Sequence, residues 1–220
     1  HLFFWYHAAR FLAPQGRMAF ITSGEWYDSD YGVQLQSWLL DNFHVELVLE
    51  SMAEPWFSEA RVGTVVLVAR KLQSGEDPSD LPVRFVTLRE PLSTLYATDT
   101  SDDTLRLLAV DALRDRLMSL TGSAEGNDLD HVVVSQGTLV GEGSNDEGVY
   151  VGAAWRSRYL RSPGYARTLI GRDNFVELGE IATAKLGAKT GSDGFFFAKA
   201  VPGASGAKQR IQGLKGWEGD

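Results

Sequence analysis

Gly16-Arg17-Met18-Ala19-Phe20-Ile21-Thr22-Ser23-Gly24-Glu25-Trp26-Tyr27 opens, and Trp56-Phe57-Ser58-Glu59-Ala60-Arg61-Val62-Gly63-Thr64-Val65-Val66-Leu67-Val68-Ala69-Arg70-Lys71 closes, the stretch that decides the fold. Arg17 to Thr22 is a short apolar run between the turn signal Ala13-Pro14-Gln15-Gly16 and the stop Ser23-Gly24, the pattern of a strand buried on both faces. Tyr31, Leu35, Trp38, Leu39 and Phe43 recur at helical spacing, so a helix from about Asp30 to Asn42 should lay one side on a sheet. Asp28, Ser29 or Asp30 can cap it. Val45, Leu47, Val48 and Leu49 predict a second strand, and Val62, Val65, Val66, Leu67 and Val68 a third, rich in β-branched residues. Strand, helix, strand, strand is the tail of an α/β sheet. Trp56 and Phe57 fall in the connection before the last strand, and on spacing alone they cap the core beneath a loop.

Working outward, Leu2 to Leu12 predicts a helix with Phe3, Phe4, His7, Ala8 and Phe11 on its apolar side, stopped by Pro14. His1 and His7 lie beside aromatics without nearby carboxylates, so packing or surface placement is expected, not a metal site. Leu72 to Asp80 reads as a linker, Val83 to Leu88 as a strand, and Asp99, Asp102 and Asp103 as the N-terminus of a helix running to about Leu120. Leu105, Leu108, Ala112, Leu113, Leu117 and Leu120 should form its apolar side. Gly122 to Asp130 reads as a polar loop, His131 to Ser135 as a strand, and Gly141 to Gly148 as a flexible acidic loop. The aspartates lack the spacing of a calcium loop and read as a solvated face or a helix cap.

The chain has 220 residues, 44% apolar and 23% charged, which suits one to two globular domains. It contains no cysteine, so disulfide frameworks and thiolate metal sites are excluded. No apolar run approaches the roughly 18 residues of a membrane span. No basic region leads an apolar signal core, and cytoplasmic residence is the expectation. The chain opens at His1 inside a helical pattern and is expected to be a fragment.

Net charge is −8, but it is unevenly spread: Arg and Lys number 10 against 23 Asp and Glu in residues 1–154, and 8 against 4 in residues 155–199. A local basic segment of this kind suits nucleic acid within an acidic protein. Trp155-Arg156-Ser157-Arg158-Tyr159-Leu160-Arg161-Ser162-Pro163 interleaves cations with aromatics. It reads either as a contact surface for phosphates and bases or as a helix whose Trp155, Tyr159 and Leu160 pack inward. Gly187-Ala188-Lys189-Thr190-Gly191 could offer amides and an ammonium to a phosphate, but its spacing is not that of a nucleotide P-loop.

Three groups of residues carry a family resemblance. Phe11-Leu12-Ala13-Pro14-Gln15-Gly16-Arg17 leads into Met18 to Ser23, followed by Trp26 and the Tyr31-Gly32 helix start. Phe57, Val62, Thr64 and Val66 form the second group. The third is Trp155 to Pro163, then Leu178-Gly179-Glu180-Ile181-Ala182, then Gly187 to Phe197. Residues 2–71 resemble the second half of the catalytic domain of adenine-specific (N6) DNA methyltransferases, as found in single-chain restriction-modification enzymes and phage-exclusion systems. The third group resembles the junction with a target recognition domain, although Trp155 to Tyr159 is one residue longer than the usual spacing; residues 72–150 match only loosely.

The resemblance implies an α/β fold: the C-terminal half of a Rossmann-like methyltransferase sheet (1–71), an acidic α+β connecting module (72–150) and a truncated start of the recognition domain (151–220). It implies that Phe57 stacks on a flipped adenine, that Thr22, Ser23 and Trp26 line the substrate pocket, and that Arg156, Arg158, Tyr159, Arg161, Lys189 and Thr190 contact double-stranded DNA. The implied cofactor is S-adenosylmethionine, whose glycine turn and ribose carboxylate are not visible in this chain, nor is the Asn-Pro-Pro-aromatic motif. No metal is implied, and restriction or defence subunits are the expected protein partners. This piece alone should neither bind the donor tightly nor turn over. Two other readings stay open: a non-catalytic DNA-recognition or assembly module on the same scaffold, and a methyltransferase acting on another amine.

Overall fold

The computed structural model describes residues 2–57, 63–96, 102–169, 176, 178–183, 198–200, 211–213 and 218–219. They fall in two compact units, 1–171 and 172–220. In chain order the first unit contains α1 (Leu2–Phe11), β1 (Arg17–Ser23), a 3₁₀ turn (Gly24–Asp28), α2 (Asp30–Asn42), β2 (Phe43–Ser51), β3 (Thr64–Lys71) and β4 (Pro82–Leu88). It continues with α3 (Leu92–Leu95), α4 (Asp103–Met118), β5 (Ser123–Glu125), β6 (Leu129–Ser135), α5 (Gln136–Gly143), a π-type turn (Arg156–Leu160) and α6 (Gly164–Leu169).

Six strands form one mixed sheet in the order β1-β3-β2-β4-β6-β5. β3 is antiparallel to both β1 and β2, while β2 and β4 are parallel. β1, β2 and β4 therefore run in one direction, and Ser23, Ser51 and Leu88 end them at the same edge. β4 and β6, from the acidic segment, continue the sheet without a break.

One face is covered by α1, α2, α5 and the 155–160 segment, through Trp5, Leu35, Leu39, Leu139, Trp155 and Tyr159 over Val45, Val48, Leu67 and Phe85. Each such leucine or valine taken wholly out of water is worth about 1.5–3 kcal/mol. The other face is smaller: Leu47, Leu49, Val86 and Leu88 meet Leu117, Leu129 and the half-buried Trp56 and Leu113.

The second unit has the short helix α7 (Leu178–Ile181) and a three-stranded antiparallel sheet, β7 (Ala198–Ala200), β8 (Ile211–Gly213) and β9 (Glu218–Gly219).

The local reading needs five corrections. β1 is not buried on both faces: it stands at one end of the sheet, with Met18 buried but Arg17, Ala19 and Ile21 exposed. The covering helix α4 packs farther in, over Leu47 and Leu49. α1 buries a different stripe from the one expected. Trp5 and Ala9 are buried and Leu2 and Leu12 pack beside them, while Phe3, Phe4 and Phe11 are exposed. Both stripes obey helical spacing, and the indole, with its ring 4.5 Å from that of Phe20, carries more area into the core. Lys71 Nζ then closes the end of α1, donating to the Ala9 and Leu12 carbonyls at 2.9 Å.

α4 is capped by Asp102, which accepts from Thr104 and Leu105 as the acidic patch suggested; Asp99 lies outside the described residues. Its N-terminal half, however, leaves Leu105 and Leu108 exposed. The expected loop Gly122–Asp130 contains a strand, β5, paired with β6. The expected loop 141–148 begins inside a helix, α5, capped by Ser135. Glycine costs helix stability, which hid α5 from its pattern. At Gly143 the glycine is required, because a Cβ would lie 2.2 Å from the Tyr150 ring.

Buried Gln136 opens α5 and ties it to the sheet. It accepts from Val45 N at 2.9 Å and donates to the Leu40 and Phe43 carbonyls at 3.0 and 2.7 Å, next to the irregularity between Val45 and Leu47. Backbone groups left open by a bulge need such partners.

Candidate functional site at the strand ends

The common edge where β1, β2 and β4 end gathers most of the residues singled out at the start of the chain. Ser23 Oγ accepts from Glu25 N and starts the 3₁₀ turn, which throws Trp26 fully into the core. Gly32 permits this turn to meet α2, since a Cβ there would lie 1.5 Å from the Trp26 carbonyl oxygen. Trp26 packs on Tyr27 at 4.2 Å between rings and edge-on against Trp155 at 5.8 Å. Trp155 meets Phe85, which stacks on Tyr159 at 4.6 Å. A continuous aromatic row thus underlies the strand ends. Thr22 Oγ1 and Trp26 Nε1 are buried with no hydrogen-bond partner among the described residues, a state that costs about 1–3 kcal/mol per group.

The connection from β2 to β3 leaves and re-enters the sheet at this edge, because Ser23 pairs with Thr64 and Glu50 with Val65. Its two aromatics separate. Trp56 packs into the smaller cluster, as a core cap would, whereas Phe57 is 47% exposed. A shallow cavity of about 240 Å³ lies beside them, lined by Ser51 to Trp56 with Gly63 and Thr64.

The basic segment reaches the same edge in part. Glu50, a buried carboxylate at the end of β2, meets Arg156 Nε at 3.0 Å and Arg161 Nη2 at 3.3 Å. The Arg156 guanidinium lies on Gly63, where a Cβ would be 2.3 Å from Nη2, and against Gly24, at 3.5 Å on the same measure. Gly24 N in turn donates to the Gly63 carbonyl at 2.8 Å.

Arg158 and Tyr159 instead turn to Glu142 on α5: Arg158 donates at 2.7 Å, and the Tyr159 hydroxyl donates to the other carboxylate oxygen. Burial and this carboxylate push the Tyr159 phenol up, so it stays protonated. Tyr159 and Leu160 are buried, and Arg161 is half-exposed, so the segment packs inward while keeping one cation at the surface. Lys189 and Thr190 lie outside the described residues.

Sequence reading missed Glu50, Gly63 and Glu142. A carboxylate ending the apolar run Val48-Leu49 and a glycine just before Thr64 were the available signals.

A donor nucleotide needs an open backbone cradle at such an edge. The glycines here, Gly24 and Gly63, are covered by Arg156, so the described residues do not fit S-adenosylmethionine. Nor do they bring together three or more His, Cys, Asp or Glu side chains able to hold a metal. Among the described residues no helix is long and apolar enough to cross a membrane.

The fold is a mixed α/β sheet with an antiparallel strand inserted between two parallel ones. No protein-family model matches the chain, and no curated protein matches it. Solved structures of restriction-modification proteins do show similarity. The type IIG restriction endonuclease BpuSI matches at TM-score 0.46 and 19% identity, over 71% of this chain and 15% of that one. The methyltransferase subunit of a type I restriction-modification system from Streptococcus thermophilus matches at 0.41 and 17%, over 71% and 29%. A chain of a type I restriction-modification assembly matches at 0.43 and 15%, over 82% and 34%. The present chain therefore spans about a third or less of the structures it is similar to.

Proposed function

We propose that the chain is part of a site-specific DNA methyltransferase of the restriction-modification or phage-defence kind, modifying N6 of an adenine turned out of the duplex. Phe57 supports this reading. It is an exposed aromatic on the connection at the ends of three strands that run in one direction, next along the chain to Trp56, which lines the shallow cavity there with Ser51 to Pro55, Gly63 and Thr64. An extruded base needs an apolar face to replace its lost stacking and nearby polar groups to read its edge; Phe57 is of the first kind, and the cavity beside Trp56 carries Ser51, Glu54 and Thr64 of the second. Phe57 holds the base and exposed Arg161 faces the phosphate backbone, while Thr22 and Trp26, whose polar atoms are buried, support the strand end from within the core. The methyl donor, S-adenosylmethionine, is held by residues other than those described, and no step is routed through it.

The test is Phe57→Ala in the complete enzyme with a duplex carrying 2-aminopurine at the target. Loss of the stacking partner should lower methyl transfer about 10- to 100-fold, as removal of roughly 1–3 kcal/mol of base stacking would, and change the 2-aminopurine emission. Unchanged transfer and unchanged emission would reduce Phe57 to a surface residue.

The alternative, a non-catalytic DNA-recognition module, also requires salt-sensitive DNA binding, and Arg161→Ala should lower the salt slope by about one. Transfer by the complete protein separates the two.

A further inference from the structure

Arg156 was expected at the DNA, yet it points inward. Its guanidinium touches both ends of the connection that carries Phe57: Glu50, next to Ser51, on one side, and Gly63 on the other. It also lies against Gly24, whose amide is bonded to the Gly63 carbonyl. The first residues of the connection are already ordered. Met52 N donates to the Leu88 carbonyl at 2.9 Å, and Ser51 Oγ accepts from Ala53 and Glu54 at 3.2 and 3.1 Å. The far end is held by the Gly24–Gly63 hydrogen bond and by Arg156, seated where any side chain at Gly63 would collide with it.

We propose that Arg156 is a positioning residue that clamps both ends of the Phe57-bearing connection and so sets where Phe57 stands over the strand ends. The role given to Phe57 rests on the function proposed above; the clamp itself does not. Arg156 belongs to the Trp155 to Arg161 segment, whose Arg161 also reaches Glu50, so a displacement of that segment acts on the connection at the end of β2. A guanidinium suits this task, since it is always charged and carries several nitrogens, so that Nε stands beside the carboxylate while Nη2 fills the space at Gly63.

Two variants disturb the clamp by different means. Arg156→Ala deletes it, while Gly63→Ala leaves the charge but drives the guanidinium off its seat. In the 220-residue chain, hydrogen exchange followed by mass spectrometry should show residues 52–57 exchanging about tenfold faster in either variant, with little further increase in the double variant and no change in 84–87 of β4. Arg156→Lys should restore the contact with Glu50 but not the protection.

Three results would overturn the proposal: unchanged exchange at 52–57, a rise matched in β4, or independent effects that multiply. In the complete enzyme Arg156→Ala should lower kcat about tenfold and leave KM for DNA within about twofold, and a KM effect alone would make Arg156 a phosphate contact instead. If the unaltered enzyme transfers no methyl group, the proposed function fails while the exchange result still decides the clamp.

Discussion

Glu46 and Glu50 lie four residues apart on β2, both buried and both facing two arginines, yet their surroundings differ in kind. Glu46 is held within the sheet. Arg17 of β1 makes a forked contact with it at 2.8–3.1 Å, and Arg70 of β3 stands 3.9 Å away while pairing with Glu76. Glu50 is held from outside the sheet, by arginines on the 155–161 segment, with Arg161 a full 111 residues distant in the chain. Its contact with Arg156 is close but not aligned as a hydrogen bond. Charge pairs with well-aligned forks serve the strands that make them. A buried pair that is poorly aligned and spans remote segments adds little net stability, and holding parts in place is its remaining use.

Removing each carboxylate separates the two cases. Glu50→Ala should cost about 2–3 kcal/mol, because Arg156, only 20% exposed, is left without its counter-charge. Glu46→Ala should cost about 1–2 kcal/mol, since the 61%-exposed Arg17 side chain relaxes into water and Arg70 keeps Glu76. Urea denaturation measures both, and equal losses would break the comparison.

Next in size is the contrast between the adjacent aromatics at the Glu50 end. Trp56→Ala should destabilise by about 2 kcal/mol, for it leaves a hole in the smaller cluster. Phe57→Ala should stay within about 0.5 kcal/mol. A large stability loss from Phe57→Ala would make it a core residue and remove the main support for the proposed function.

The smallest effect sharpens the Glu46 end. Hydrogen bonds from Arg70 first, then from the Gln73 amide, hold the Glu76 carboxyl at about 2, below its ordinary 4.5. The folded value is depressed, so the stabilisation is complete above about pH 4.5 and is lost as pH falls toward 2. Arg70→Met should return the Glu76 titration, followed by NMR, toward 4.5. A value remaining near 2 would assign the shift to Gln73.

Five of the six strands of the large sheet were legible in the chain from the start, β5 being the exception. Arg17 to Thr22, Val45 to Leu49, Val65 to Val68, Val83 to Leu88 and His131 to Ser135 all lie in strands, since each run is apolar and bounded by turn residues. The strand ends were legible in part. Thr22 and Ser23 end β1 at one edge and Phe57 is exposed on the connection there, but Trp26 is wholly in the core; the inward packing of Tyr159 was one of two open readings, and the pairing of Arg156 and Arg158 with Glu50 and Glu142 belonged to neither. A mixed run of cations and aromatics looks the same whether its arginines meet phosphates or glutamates far along the chain.

Local order, by its nature, is written in neighbours: where strands start, where Pro14 stops α1, where Asp102 caps α4. Those features the sequence determined alone. The tertiary structure decided which stripe of α1 is buried, that α5 forms despite its glycines, and that Glu50 finds its arginines in the 155–161 segment. Each of these depends on surfaces brought together across long separations, where the area buried and the charges matched outweigh local propensity.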